Sequence, residues 1–519
     1  MQQMTLDPST EPSLEPMSEP AESVADHPIA RSLKGLDTRL DSSQEGNEHL
    51  HEKLFDSLVC DCSDPSGRSR FLPLDVQEDS INVNSVRREL VRSKSIGDSE
   101  LDELVSFICF GRPNGPGSLR GKKLFAILVL LGIDQLDTIL AFKQEGITDF
   151  NLPFRRDERN ELRPGNYAGS LDFFDSWSQK MVREFEDYQW STMAPVLQPQ
   201  SLGSLDDRII LPWTQYTHTA EGGHSNVYKV EIHDSHHSFP KREASKGRTC
   251  FALKELKSKE PSIFCGECDS FRKFGQHQHL TELLASFQHK GRYYLLFPWA
   301  YGGTLKDLWM KGDAKPGYVD TQWVAQQAYG LVDGLFRVHY VKSDPQSIEA
   351  ALDRGHQDND KIFGRHGDIK RDNVLLFQSE LRNEGVLKLS DFGLTVYHST
   401  MSRSTDRPGS GRPCGLEYRA PEAEAERSDN RMSPRYDIWC LGCLYLDMVT
   451  WLLLGSKGLK EFLDNRLREK IWPACFDTEY FWKSKKGPRG SQGPPVVKSS
   501  VKYVSNLLLC LMSSVSELI

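Results

Sequence analysis

The spacing of apolar residues changes character along the chain. From about 71 to 200 it is helical. Leu101, Leu104, Val105 and Ile108 fall at i, i+3, i+4 and i+7, with Ser99 and Asp102 placed as a capping box. Lys122 to Leu140 reads as a near-continuous apolar helix. Phe174, Trp177, Met181, Val182 and Phe185 make a further stripe, and a stripe of this period is expected to be core rather than a ligand groove. At about 210 the period moves toward that of strands, as in Thr249–Lys254 and in Arg292–Phe297, which reads as a buried strand. Helical spacing returns at Val324, Ala328, Leu331, Leu335 and Val338, and again from Tyr436 through Trp451. Between these helices lie a polar insertion, Lys342 to Lys361, and the short apolar runs Val374–Phe377 and Leu387–Leu389.

Composition adds bounds. Residues 1 to about 70 are rich in Pro, Ser, Glu and Asp with few aromatics; such a stretch buries too little apolar surface to offset its ordering entropy and is expected to be a disordered tail. A length of 519 residues suggests about two to four domains. The formal charge of −9 leaves no basic footprint, so no nucleic-acid partner is expected. Eleven scattered cysteines, an odd number, favour reduced thiols, hence the cytoplasm with the nucleus as alternative. The amino terminus lacks a signal-peptide pattern, and Leu124–Leu131 and Leu452–Leu454 are too short or too interrupted to span a bilayer, so no membrane role is expected.

Chemistry concentrates in His366-Gly367-Asp368-Ile369-Lys370-Arg371-Asp372-Asn373. The Asp368 carboxylate can orient a hydroxyl and accept its proton. Lys370 can neutralise charge on a transferring phosphoryl group. The Asn373 amide oxygen can hold a metal ion. A second carboxylate, Asp391, sits on the tight turn Asp391-Phe392-Gly393. Upstream, Gly222 and Gly223 lie between two strand-like runs, where glycine permits backbone N–H groups to approach phosphate oxygens closely.

These stretches, in this order, resemble eukaryotic protein kinases of the serine/threonine type. Thr219-Ala-Glu-Gly-Gly-His-Ser-Asn-Val-Tyr-Lys-Val230 resembles the glycine-rich loop, with Ala220, Gly222 and Ser225 at the three glycine positions and Val227 in place. Thr249-Cys-Phe-Ala-Leu-Lys254 resembles the lysine strand. Phe297-Pro-Trp-Ala300 resembles the hinge, Ala-Pro-Glu422 the anchor, and Tyr436-Asp-Ile-Trp-Cys-Leu-Gly442 the central helix of the large lobe. The long helical region before the hinge and the HGDIK loop are also similar to a filamentous-fungal kinase group.

The resemblance implies an α+β, two-lobed kinase fold over about 205–519, with a β-rich small lobe over about 205–300 and a helical large lobe over about 301–519. A small all-α domain over 71–200 and the tail over 1–70 precede it. It implies ATP and Mg²⁺ as cofactors and a protein Ser/Thr substrate. The catalytic residues would be Asp368 and Lys370, and the metal ligands Asn373 and Asp391. Nucleotide would meet Gly222, Gly223, Ser225, Val227, Ala252, Lys254, Pro298, Ala300 and Leu375. Glu267 would brace Lys254, with Glu260 and Glu282 as competitors, and Phe271 would stack toward the metal loop. Phe297 would back the adenine pocket, and Asp437 would hold the catalytic-loop backbone.

The chain also departs from the pattern. Gly367 replaces the arginine that binds a phosphorylated activation loop, so the hydroxyls of Ser399, Thr400, Ser402, Ser404, Thr405 and Ser410 are not expected to be switches. Cys414-Gly415 stands where Gly-Thr is usual, while Lys370 still favours a Ser or Thr acceptor. No arginine is evident to meet Glu422, and the stretch after Trp451 is short for a large lobe, which raises the alternative of a truncated one. A pseudokinase or nucleotide-binding scaffold is the rival reading. A third makes the helical region the functional, partner-binding module. Cys265/Cys268 and Cys440/Cys443 have metal-ligand spacing without a second pair nearby, so zinc is not expected. His233, His236 and His237 read as surface histidines, His366 as packed against Phe392, and Lys483–Arg489 as a solvated basic loop.

Overall fold

The computed structural model describes residues 49–92, 98–111, 119–132, 136–166, 174, 176–240, 249–312, 319–341, 362–378, 385–399, 417–423, 434–469, 479–486 and 492–516. The activation-loop hydroxyls from Thr400 to Ser410, Cys414-Gly415 and the insertion 342–361 lie outside these residues, as does the tail up to 48.

The amino-terminal module is mostly helical: α1 (Leu50–Asp56), α2 (Leu74–Ser80), α3 (Val83–Arg92), α4 (Asp98–Cys109), α5 (Lys122–Leu131), α6 (Thr138–Gln144) and α7 (Gln179–Ser191). Two short strand pairs, β1 (Val59–Cys60) with β2 (Arg70–Phe71) and β3 (Arg155–Arg156) with β4 (Leu162–Arg163), complete it. Helix α5 is apolar all round and is buried from Leu124 to Leu130, as that composition requires. Its start is capped from a distance: the Asp149 carboxylate accepts from the N–H groups of Lys123 (2.9 Å) and Leu124 (3.1 Å). The stripe on and before α7 is core, with Phe174, Val182 and Phe185 packed around Phe142 and Phe154.

Three expectations are corrected here. The stretch expected as a tail over 1–70 includes helix α1, whose Leu50 and Leu54 are buried in the module core. The apolar run from Lys122 does not continue as one helix to Leu140: Gly132 leaves the helix at φ 126°, and a new helix starts at Thr138. Ser99, expected to precede the helix, lies within α4, which begins at Asp98.

The small lobe is a six-stranded sheet. Its strands are β5 (Gln200–Ser204), β6 (Trp213–Glu221), β7 (Ser225–Ile232), β8 (Cys250–Leu256), β9 (Ala285–His289) and β10 (Arg292–Pro298), in the order β5-β9-β10-β8-β7-β6. Helix α8 (Pro261–Phe274) connects β8 to the loop before β9. Strand β5 is contributed by the lead-in from the module and pairs parallel with β9, whereas the other neighbours are antiparallel. No break in packing falls at the boundary expected near 200: Leu197, Leu202 and Leu205 share a core with Trp213, Val230 and Phe251.

The large lobe holds α9 (Leu305–Met310), α10 (Thr321–His339), α11 (Arg435–Arg468) and α12 (Ser499–Ser516), with the strand pairs β13 (Val374–Gln378)/β14 (Gly385–Leu389) and β16 (Trp482–Lys486)/β17 (Gln492–Val497) and a three-stranded ribbon of β11 (Tyr340–Val341), β12 (Ile362–Arg365) and β15 (Val396–Ser399). Helix α11 is long and apolar enough to cross a membrane, yet Gly455 breaks it at φ 69°, and Leu444, Met448, Trp451, Leu459 and Phe462 lie in the lobe's core. Past that break two side chains tie the last elements together. The Lys498 ammonium donates to the Arg466 carbonyl (2.7 Å) at the end of α11. The Glu469 carboxylate accepts from Ser499 N (2.9 Å) and Ser500 N (2.6 Å) at the start of α12. The whole is the two-lobed α+β architecture the motifs imply.

Candidate active site

The pleat and register of the small-lobe sheet decide what faces the cleft. Residues directly opposite in antiparallel strands share a face, and residues two apart on one strand do too. Lys254 on β8 lies opposite Val227 on β7 and Leu295 on β10; Ala252 lies opposite Phe297. Val227, Ala252, Lys254 and Phe297 therefore line one surface. The turn joining β6 to β7 runs Gly222-Gly223-His224 and closes with Gly222 N donating to Ser225 O at 2.8 Å.

Lys254 links the two lobes. Its Nζ is 2.6 Å from Glu267 Oε1 on α8 and 2.7 Å from Asp391 Oδ1, a residue 137 positions away in the large lobe. Burial opposes the charge on Lys254, but the two carboxylates outweigh it and hold its pKa above the usual lysine value. The ammonium beside it holds Asp391 down at about 2. Burial raises the Glu267 carboxyl. Glu260 and Glu282, the competitors, do not reach Lys254; Glu260 precedes α8 and Glu282 accepts from Gln276. Asp391 has φ 63°, a left-handed backbone for a non-glycine residue, and its Oδ2 has no protein partner among the described residues.

Phe392, next to it, is buried against Phe271 (5.2 Å between ring centroids), Phe274 (4.6 Å) and His366 (4.8 Å). Helix α8 and the Asp391-Phe392-Gly393 turn are thus packed together, with the Phe271 ring meeting Phe392 edge-on.

The catalytic loop is held from beneath. Asp437, at the start of α11 and fully buried, accepts from His366 N (2.7 Å) and Gly367 N (2.8 Å), and pairs with His339 Nε2 on α10 (2.8 Å). Gly367 sits at φ 85°, which glycine adopts without the strain a side chain would add, and a Cβ there would come within 3.1 Å of Leu394 O. Above this platform Lys370 Nζ is 2.7 Å from Asp368 Oδ2, and Asn373 Nδ2 donates to both Asp368 O and Oδ2 at 2.8 Å. The Asn373 amide oxygen is left as an acceptor. Burial opposes and Asp368 favours the Lys370 charge; Asp368 wins and its pKa is raised.

At the hinge, β10 ends at Pro298, and the Ala300 carbonyl accepts from Gly303 N at 3.0 Å. The chain then meets β13: Thr304 bridges to Leu375, and Gly302 N donates to Leu376 O at 3.1 Å. Leu375 is thereby brought under the hinge.

The sequence model of the protein kinase domain matches residues 220–480. The chain belongs to the protein kinase family. Among curated relatives, this kinase is similar to "Cyclin-dependent kinase C-2 C" of Arabidopsis thaliana (32% identical over 131 residues, 25% of this chain and 18% of the relative). It is similar to "Aurora kinase C" of Mus musculus (29% over 176 residues, 34% and 49%) and to "Cyclin-dependent kinase 11" of Dictyostelium discoideum (34% over 118 residues, 21% and 30%). The chain spans less than half the length of these relatives.

Several residues of this kinase that matter at the site carried no sequence signal. His339 reads only as the end of an apolar helix face, yet it completes the Asp437 platform. Arg371, buried on the catalytic loop, contacts Glu417 Oε1 (3.1 Å) and Glu479 Oε2 (3.2 Å) from two distant stretches. Glu422 is exposed with no ion-pair partner among the described residues; Arg466, another buried arginine of this lobe, pairs with Asp447 instead (2.7 Å).

Proposed function

We propose that this kinase transfers the γ-phosphoryl group of ATP to a serine or threonine hydroxyl of a protein substrate. The observation that carries the reading is the convergence of Lys254, Glu267 and Asp391 within 2.7 Å contacts, beside a catalytic loop whose Asp368 and Lys370 are held 2.7 Å apart. Asp368 orients the acceptor hydroxyl and takes its proton. Lys370 offsets charge gathering on the γ-phosphoryl oxygens. Lys254, braced by Glu267, places the α- and β-phosphates. Gly222, Gly223 and Ser225 cover them, with the purine ring between Val227, Ala252 and Leu375 and against the backbone of Pro298 and Ala300. Asn373 and Asp391 present oxygen donors of the kind Mg²⁺ takes and would hold the ion, which would supply charge neutralisation at the phosphates when bound. The Asp391 oxygen without a protein partner fits that use. The aliphatic acceptor follows from Lys370 beside Asp368. The cysteine composition supports the cytoplasm as the compartment.

The test is transfer of label from γ-labelled ATP to protein by the purified chain, beside Asp368→Asn. Transfer by wild type and its loss in the variant, with ATP still bound by both, is the expected result. Wild-type chain that binds ATP and transfers nothing would overturn the reading in favour of a nucleotide-binding scaffold, the outcome that the substituted glycine positions Ala220 and Ser225 would then explain.

A further inference from the structure

Helix α8 carries Glu267, and what holds α8 in place decides whether Glu267 meets Lys254. Its carboxyl-terminal end leads through the loop 275–284 into β9. That loop is pinned to the large lobe: His279 Nδ1 lies 2.7 Å from Leu387 O, Leu389 N donates to His279 O at 2.8 Å, and Thr281 N donates to Leu389 O at 2.9 Å. On its other side β9 would be the open edge of the sheet. The chain closes that edge with its own β5, paired from Gln200 with Ala285 to Ser204 with Gln288 around a register shift between Ser201 and Gly203, and Leu205 N donates to Gln288 O at 2.8 Å.

The segment that delivers β5 is itself fixed at both ends of its run. Leu197 is fully buried; its N–H donates to His236 O (2.8 Å) and its carbonyl accepts from Ser238 N (3.0 Å). The His236 ring, buried on the small lobe, sits 3.1 Å from the Pro195 carbonyl through Nδ1 and accepts from Leu74 N through Nε2 at 3.0 Å. Module, lead-in and small lobe are thus joined at one imidazole. Pro199 and the α8 residues Cys268 and Phe271 line one cavity of about 650 Å³ together with Leu284 and Ala285. Strands β5 and β9 give the module a hydrogen-bonded path to the loop that follows α8.

We propose that residues 195–205 are a positioning clamp for α8, so that the amino-terminal module, through β5 and β9, sets the fraction of molecules in which Glu267 reaches Lys254. The clamp rests on the kinase reading of the cleft, but its first test does not. In native-state hydrogen exchange on the full chain without nucleotide, the amides of 197–205 and of α8 open as one unit, with the same free energy and the same response to denaturant. In Leu205→Pro, which removes the donor to Gln288 O, both sets exchange about tenfold faster while the α11 amides are unchanged. A second variant, Leu197→Ala, gives the same pattern by loosening the buried anchor.

The second readout separates positioning from mere folding. A clamp acts before ATP binds, so both variants raise the KM for ATP with little change in kcat at saturation. A purely structural defect lowers the active fraction and leaves KM where it was. If wild type transfers no phosphate, the dissociation constant of a fluorescent ATP analogue is read in place of KM, and failure of the kinase reading stays distinct from failure of the clamp. Independent opening of α8 and 197–205 in wild type, or unchanged α8 exchange and ATP affinity in both variants, overturns the proposal.

Discussion

Two buried charge clusters in this kinase use the same chemistry to opposite ends. In the large lobe Arg466 and Asp447 have side chains 1% and 0% exposed. The Tyr418 hydroxyl fills a further Asp447 valence at 2.8 Å, and the guanidinium lies 4.2 Å and 4.1 Å over the rings of Phe462 and Phe481. In the cleft, Lys254 and Glu267 are nearly as hidden, with side chains 11% and 3% exposed, but the third member, Asp391, has a side chain 44% exposed, one oxygen without a protein partner and a left-handed backbone. A closed cluster holds two parts of a core in register. An open one keeps a charge in waiting for something the protein does not supply. Exposure of one member, rather than ion-pair count or distance, separates the two.

The sharpest way to break the comparison is at the catalytic loop. Asp368→Asn is expected to lower phosphoryl transfer by about 10²–10⁴-fold while the urea unfolding midpoint stays near wild type; a variant as active as wild type would remove the cleft from the chemistry. Arg466→Ala should do the reverse. It strands Asp447 in the core at a cost of about 3–5 kcal/mol, read as a fall in the urea midpoint, and a loss below 1 kcal/mol would mean that the closed cluster holds little.

Gly330→Ala probes the lobe junction between them. A Cβ there would meet His279 Nε2 at 2.0 Å, so α10 and the loop before β9 must separate, at about 1–3 kcal/mol in the same assay. An unaffected midpoint would show that the junction yields freely.

The mildest effect is a pH dependence at the module seam. Burial holds the His236 ring down at about 4 from a usual 6.5, with His233, Asp75 and Lys123 facing it. The unfolded chain takes up this proton below about 6.5 and the folded chain only below about 4, so stability is full above the first value and falls as pH drops toward the second. His236→Gln should flatten that slope between pH 6.5 and 4 in urea titrations, and an unchanged slope would place the dependence elsewhere.

Much of the cleft was legible because the motifs of the protein kinase family place residue types in a set order: lysine on a strand, glutamate on the next helix, aspartate and asparagine on one loop, aspartate on the next. The platform under the loop was legible only in part. Asp437 sits in a recognisable run, while His339 sits in an unremarked apolar helix and joins it only once α10 packs on α11. The module was misread at its edges for a local reason. The stretch from Leu50 to Asp56 is a single short helix at the end of a long polar run, and it is held because the rest of the module covers Leu50 and Leu54. His236 looked like one of three polar-loop histidines; the Pro195 carbonyl and the Leu74 N–H make it a buried joint. Strand β5 is short and carries two serines and a glycine, so nothing in its own residues demands a sheet.

Residue order alone thus settled the periods of the helices and strands, the two-lobed family architecture and the identity of the charged set in the cleft, since each depends on neighbours a few positions apart or on the demands of the reaction. Tertiary structure decided which glutamate Lys254 takes, which arginine is buried with which aspartate, that Leu50 and Leu54 join the module core and how the module grips the small lobe. Those choices turn on desolvation: a polar group is committed only when the fold withdraws water from it, and the partner then available can lie more than a hundred residues away.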